Sequence, residues 1–574
     1  MHIVWNKKSC AGAGGAFFLL LLSIGLILIA YIGHEEEEEQ QHNPNLLVNI
    51  RQGTLIGRYV TTRKGRNVLA FEAIPYAKPP IGYLRFQSPQ PPEKWEGVLD
   101  ATKLVPKCTQ RDIYRRLESI SGQEDCLYIN VYTPHVRGHH LLDVMVYIHG
   151  GGWVVGAGIN HRPDYLMDKD IVLVTFNYRL GPLGFLSTGD AVCPGNNGLK
   201  DQTAALRWVR QNIAAFGGNP GSVTIFGENS GGASVHFHML SPASRGLFHR
   251  AISQSGTGLC PWSLAPHGST REKTEKLALL LNCTTESSRA LIDCLHIKDN
   301  VEITAADKDL MEWNMDPFTS FKPVVETGDD AFLPASPLEL AKNITHSVPW
   351  ITGITSGEGA FVASRLYGDN LVSEFDDNFE ELAPLIFFFN GTSQKIEISN
   401  EIKEFYFEDK IITSNSASSL VDMFTEGWFL RGTDLAVKLH VETGSAAVFY
   451  YYFNYRGSKS FSEIFGGSHR DYGVCHADDL LYLFPMYNIF RGRLTSEDDD
   501  SMIDTLTTMW TNFARHGEPT RSPLRGVKWP HVSNSENKEY VKINKDGLYV
   551  TQGLLKNRTM FWDSLSLEMS RNNL

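Results

Sequence analysis

Val223-Thr224-Ile225-Phe226-Gly227-Glu228-Asn229-Ser230-Gly231-Gly232-Ala233 is the segment from which the rest of the chain can be read. Four strand-favouring residues run straight into Gly227, and small residues follow on the far side. A short, continuous apolar run bounded by glycine reads as a buried strand. The small residues after it let a helix pack closely behind the turn. The segment therefore predicts strand, sharp turn and helix, with Asn229 at the centre of the turn. Taken alone, an ordinary glycine-rich turn is the favoured reading.

The same alternation recurs on both sides. Residues 144–148 and 171–176 are apolar strand-like runs, and 201–216 has helical spacing with Ala205, Trp208, Val209 and Ile213 on one side. Residues 350–354 and 446–452 read as two further buried strands. Continuous apolar strands between helices predict an α/β fold, a large and mostly parallel twisted sheet with helices on both faces. Ligands in such folds bind beyond the carboxyl ends of the strands. No repeat or linker interrupts residues 49–574, which are expected to form one large domain.

Three more segments carry chemistry. His149-Gly150-Gly151-Gly152-Trp153 follows a strand, and successive glycines let backbone N–H groups converge on a developing oxyanion. Gly353-Ile354-Thr355-Ser356-Gly357-Glu358-Gly359 places an acid just past a strand end. Gly473-Val474-Cys475-His476-Ala477-Asp478-Asp479 offers His476 as a general base. Each has a bland reading: a flexible loop, a solvated carboxylate, one structural histidine among nineteen. Their order along the chain, turn then acid then histidine, is that of hydrolases with a strand–turn–helix nucleophile elbow.

Further motifs point the same way. Glu124-Asp125-Cys126-Leu127-Tyr128-Ile129-Asn130-Val131-Tyr132, Phe71-Glu72-Ala73-Ile74-Pro75-Tyr76-Ala77 and Pro79-Pro80-Ile81-Gly82-Tyr83-Leu84-Arg85-Phe86 resemble the type-B carboxylesterases of the α/β-hydrolase fold. So do Asn197-Gly198-Leu199-Lys200-Asp201-Gln202 and Phe216-Gly217-Gly218-Asn219-Pro220, and the likeness runs from about residue 46 to the C-terminal region. The resemblance implies disulfides Cys108–Cys126 and Cys283–Cys294. It implies an oxyanion hole from the N–H groups of Gly151, Gly152 and Ser230, with Glu358 and His476 as acid and base. It implies no cofactor.

The departure is at the elbow. The family reads Gly-Glu-Ser-Ala-Gly-Gly where this chain has Gly227-Glu228-Asn229-Ser230-Gly231-Gly232. The register has no gap, so Ser230 falls one residue into the helix and Asn229 takes the nucleophile position. A carboxamide has its nitrogen lone pair delocalised and its oxygen is a poor nucleophile, whereas serine reacts because histidine removes its proton. The preferred reading is a carboxylesterase-like extracellular domain, catalytically impaired, that acts by binding at the cell surface, as the adhesion members of the family do. The alternative is an active carboxylic-ester hydrolase that uses the retained hole, Glu358 and His476. Two more readings stay open: hydrolysis of Asn229 to aspartate, and carriage of a hydrophobic or ester ligand without cleavage. The Cys108–Cys126 loop has no tryptophan and gives no support for a choline-binding gorge.

Composition sets the surroundings. The chain has 574 residues, 42% hydrophobic, and a net charge of −12. It can bury a large core, and it lacks the basic footprint that nucleic-acid binding needs. Residues 11–33 carry no charge, and roughly 20 apolar residues cross a bilayer core. Lys7 and Lys8 precede them and Glu35 to Glu39 follow. The positive-inside bias then gives a cytosolic tail at 1–10, a single-pass type II signal anchor at 11–33 and an acidic stalk at 34–48, with the body outside the cell. A cleaved signal peptide and secretion is the alternative. Both routes lead through an oxidising compartment, where the close pairs Cys108/Cys126 and Cys283/Cys294 read as local disulfides. Cys193, Cys260 and Cys475 read as buried thiols, Cys10 lies beside the anchor, and no cysteine spacing suggests a metal. Asn282, Asn343, Asn390 and Asn557 are N-glycosylation sequons. The partners expected are the membrane through the anchor, and a protein or a hydrophobic or ester ligand.

Overall fold

An eleven-stranded mixed sheet runs through the protein. The computed structural model describes residues 46–565 except positions 139, 409, 491, 493 and 495. The tail at 1–10, the anchor at 11–33, Cys10 and the stalk up to residue 45 lie outside the described residues. Among the described residues, no helix is long and apolar enough to cross a membrane. The end of the expected stalk belongs to the body. Leu46 and Val48 are buried, and Leu47–Asn49 pairs antiparallel with Thr54–Ile56. Apolar residues two apart point to the same face of a strand, so Leu46 and Val48 enter the core together.

The strands of the large sheet are β1 (Arg58–Thr61), β2 (Asn67–Pro75), β3 (Tyr128–Thr133), β4 (Leu142–Ile148), β5 (Val172–Phe176) and β6 (Gly218–Glu228). They continue with β7 (Arg250–Gln254), β8 (Trp350–Thr355), β9 (Val448–Phe453), β10 (Glu539–Ile543) and β11 (Leu548–Gln552). Their spatial order is β11-β10-β9-β8-β7-β6-β4-β5-β3-β2-β1. The centre, from β5 to β10, is parallel, as its continuous apolar runs predict. The edges are antiparallel: β1 with β2, β2 with β3, β3 with β5, and β10 with β11.

Helices cover both faces. They include α1 (Asn197–Asn212), α2 (Ser230–Leu240), α3 (Arg431–Thr443) and α4 (Glu497–His516). Neighbouring residues on β7 show the two sides, because successive side chains on a strand alternate. Ser253 Oγ accepts from Trp350 Nε1 at 3.1 Å, and the Trp350 ring stacks on His236 of α2. The next residue, Gln254, accepts through Oε1 from Trp510 Nε1 of α4 at 3.2 Å. Helix α1 starts earlier than the 201–216 expected from spacing, and its end tightens into a 3₁₀ turn, Ile213–Phe216. Ala205, Trp208, Val209 and Ile213 are all buried.

The topology fixes where a site belongs. From β4 the chain passes to β5 on one side, and from β6 it passes to β7 on the other. β4 and β6 are therefore neighbours at a point where the winding reverses, and such a point leaves a crevice at the strands' carboxyl ends. The register pairs Gly227 with Ile148, so the turn after β6 and the glycine loop after β4 emerge side by side. Both expected disulfides are formed, Cys108–Cys126 and Cys283–Cys294. Cys193, Cys260 and Cys475 are buried free thiols. All four sequon asparagines, Asn282, Asn343, Asn390 and Asn557, are exposed.

Candidate active site

Strand β6 ends at Glu228 and α2 begins at Ser230, which leaves Asn229 alone to make the turn. Its backbone sits at φ 57° and ψ −123°, a region that L-residues avoid at a cost of about 1–3 kcal/mol. The flanking glycines are dictated by space. A Cβ on Gly227 would lie 2.6 Å from the Gly231 carbonyl carbon, and one on Gly231 would lie 2.1 Å from the Ile148 oxygen. The turn is thus pressed against the end of β4, and Asn229 is the residue held up into the crevice.

The groups singled out in sequence meet here. Gly152 N–H donates to Asn229 Oδ1 at 3.0 Å, and Asn229 Nδ2 lies 2.7 Å from His476 Nε2. A backbone N–H only donates, so the amide oxygen must face Gly152 and the amide nitrogen must face the imidazole. His476 Nδ1 lies 2.5 Å from Glu358 Oε2, and Thr355 N–H donates to Glu358 Oε1 at 2.8 Å. Ser230 is fully buried, and its Oγ accepts from Trp153 N–H at 3.2 Å. Gly151 is held at φ 99° beside Gly152, where a Cβ would strike the Val155 oxygen at 2.0 Å.

Glu228 carries no role in the sequence reading. Its Oε1 stands 2.9 Å from His476 Nε2 as an ion pair. Burial disfavours a charge on His476, but the carboxylates of Glu228 and Glu358 outweigh it and raise the imidazole to about 10. Burial also raises Glu228, against the pull of His476. The ring is therefore an imidazolium at neutral pH, flanked by two acids. Phe429 was also missed. It packs over His476 with centroids 4.6 Å apart, and it lies in a π-helical turn, Glu426–Leu430, that has no sequence signature.

Asn229, His476 and Glu228 border a cavity of about 140 Å³ whose walls include Tyr114, Val155, Phe461, Phe465, Met486 and Ile489. Tyr114 is supplied by the Cys108–Cys126 loop, so that disulfide anchors part of the wall. The lining is mostly apolar with a few polar groups, Glu228, Asn229 and His476 among them, the usual composition of a small-molecule site. Among the described residues, no group of three or more His, Cys, Asp or Glu is placed to hold a metal ion.

The match to the carboxylesterase family extends over residues 44–562. The chain belongs to the carboxylesterase family. It is 40% identical to venom carboxylesterase-6 of Apis mellifera, over 92% of this chain and 94% of that one. It is 37% identical to juvenile hormone esterase of Tribolium castaneum, over 87% of each. Among solved structures it is similar to juvenile hormone esterase from Manduca sexta, there with OTFP covalently attached. That likeness has a TM-score of 0.81 at 28% identity and covers 91% of this chain and 99% of the other. The elbow in this chain reads Gly227-Glu228-Asn229-Ser230-Gly231.

Proposed function

We propose that this carboxylesterase-family chain, as encoded, receives an apolar or ester ligand in its pocket at the cell surface and does not hydrolyse it. The observation that carries the reading is the Asn229 carboxamide at the elbow, with its oxygen on the Gly152 N–H. Acyl transfer needs an oxygen at that position that can lose its proton to His476 and attack. The carboxamide has no such oxygen, and its own carbonyl takes an N–H that a substrate oxyanion would use. Loss of the serine from a comparable triad costs on the order of 10⁶ in turnover. What a hole and binding supply by themselves is roughly 10³–10⁴ over water, too little for a working esterase. The neighbouring Ser230 does not replace it, because its hydroxyl turns towards Trp153.

The test is covalent labelling of the purified full chain with an organophosphate probe. No adduct is expected at residue 229 or 230, and the Asn229→Ser chain is expected to label stoichiometrically. An adduct on Ser230 of the unaltered chain would overturn the reading. A second reading, an active ester hydrolase like the relatives named above, is favoured by the intact Glu358–His476 pair. It requires ester turnover that His476→Ala abolishes. Equal rates in both chains would exclude it.

The location follows from the same proposal. Residues 11–33 serve as a type II anchor that holds the body outside the cell, with secretion after cleavage as the alternative. The two disulfides and the four exposed sequons support an oxidising, glycosylating route. The venom in one relative's name fits that route too. Protease protection of the body in intact membranes, with glycans on Asn282, Asn343, Asn390 or Asn557, is the expected result. A cytosolic, unglycosylated body would contradict it.

A further inference from the structure

The Asn229 side chain lies in the pocket as a scissile amide would. Its oxygen accepts from Gly152 N–H at 3.0 Å, and its nitrogen stands 2.7 Å from His476 Nε2. Oε1 of Glu228 sits 2.9 Å from the same ring nitrogen, at the wall of the same cavity. An acyl carbon placed between an oxyanion donor, a proton donor at its leaving nitrogen and a carboxylate base has what amide hydrolysis needs. We propose that the folded protein hydrolyses its own Asn229 carboxamide, turning the residue into aspartate and releasing ammonia. This goes beyond ligand binding and does not depend on it.

The co-reactant is water, admitted through the cavity. Glu228 takes one proton from the water as its oxygen bonds to the Asn229 side-chain carbonyl carbon. The C=O pair moves onto Oδ1, where Gly152 N–H holds the oxyanion. As that pair returns to re-form the carbonyl, the C–N bond breaks with its electrons on nitrogen. His476 Nε2–H supplies the proton, and ammonia leaves. The new carboxylic acid then returns a proton to His476, and Glu228 passes its proton to the ammonia. The balance is one carboxamide and one water in, one carboxylate and one ammonium out. Glu358 holds the ring in place throughout by its contact with Nδ1, as an imidazolium before the proton transfer and as a neutral imidazole until the proton returns. His476 is charged at neutral pH, so the encoded amide sets an N–H₂ group against an N–H. The product carboxylate accepts from both Gly152 and His476, and that relieves the opposed donors.

The experiment is peptide mass spectrometry on the folded full chain, purified and then kept in heavy-oxygen water. The expected result is aspartate at position 229, either already present on purification or appearing with one heavy oxygen and without isoaspartate. Asn534 is exposed and is also followed by serine, Ser535, so it reports the spontaneous reaction and is expected to stay largely asparagine. Glu228→Gln and His476→Ala are expected to slow conversion by about 10²–10⁴. Persistence of Asn229 in the folded unaltered chain overturns the proposal without recourse to any variant. So does conversion that yields isoaspartate at the pace of Asn534, or conversion as fast in both variants as in the parent. Ester assays and probe labelling do not enter this test, so its failure is separate from failure of the binding reading.

Discussion

Two buried histidine clusters lie along α2, about two turns apart, and they hold opposite charge states. At its start, His476 is flanked by Glu228 and Glu358 and raised to about 10. Further along, His236 Nε2 meets His440 Nε2 at 2.9 Å with no carboxylate at hand. Gly258 N–H donates to His236 Nδ1 at 3.0 Å, so the His236 proton sits on Nε2 and is donated to His440. Burial alone acts on this second pair, pushing His440 to about 3 and His236 well down. Equal burial thus gives opposite ionisation, and carboxylates at contact distance decide which. Only the first cluster borders the cavity, so only it has chemistry available to it.

The largest test of that contrast places a hydroxyl at residue 229. Asn229→Ser is expected to raise short-chain ester turnover by about 10⁶ relative to the encoded chain. If the revertant stays inert, the His476 cluster is a charged remnant with no more chemistry than the His236 pair. In the revertant, Glu358→Gln is expected to lower turnover by about 10⁴, because the imidazolium and its orientation lose their partner. His440→Gln in the same background is expected to leave turnover within a few-fold. A large loss there would mean that the two clusters are coupled through α2.

Much of this site was legible before the structure, and the reasons are local. Gly227 and Gly231 have no room for a Cβ, so the turn announces itself as glycines around one residue. From Val144 in β4 and Val223 in β6 the strands are buried on both faces, and those stretches read as short, mostly apolar runs. Glu358 and His476 were placed by chain order, and the structure joins them at 2.5 Å. The rest depends on tertiary geometry. Whether the Glu228 carboxylate reaches His476 is settled by the backbone at Asn229, which no residue pattern encodes. Tyr114 and Phe429 arrive from a disulfide loop and a π-helical turn, far from any motif. The antiparallel edges escaped the expectation of a mostly parallel sheet, because β1 and β2 form a hairpin outside the alternating units.

Smaller effects sharpen the contrast through pH. His236 and His440 are neutral in the fold and titrate near 6.5 when unfolded, so between about pH 3 and 6.5 the unfolded chain binds more protons. Their contribution to stability is complete above pH 6.5 and is lost as pH falls through that window. His440→Gln is expected to flatten the acid limb of a Tm-against-pH curve, and an unchanged limb would contradict it. Asp479 gives the opposite slope and the smallest effect. It accepts from Gln254 Nε2 at 2.8 Å and from Tyr451 OH at 3.0 Å, and burial raises it from 3.8 to about 7. The folded state binds the extra proton, so this contribution is complete below about pH 4 and lost as pH rises through about 7. Asp479→Asn is expected to remove that decline from the same curve, and a decline as steep as the parent's would contradict it.

The account depends most on what Asn229 does to acyl transfer, and probe labelling measures that directly. The full chain exposed to an organophosphate should carry no adduct, while the Asn229→Ser chain, prepared alongside it, should carry one per molecule at residue 229. Stoichiometric labelling of the unaltered chain at Ser230 would contradict it.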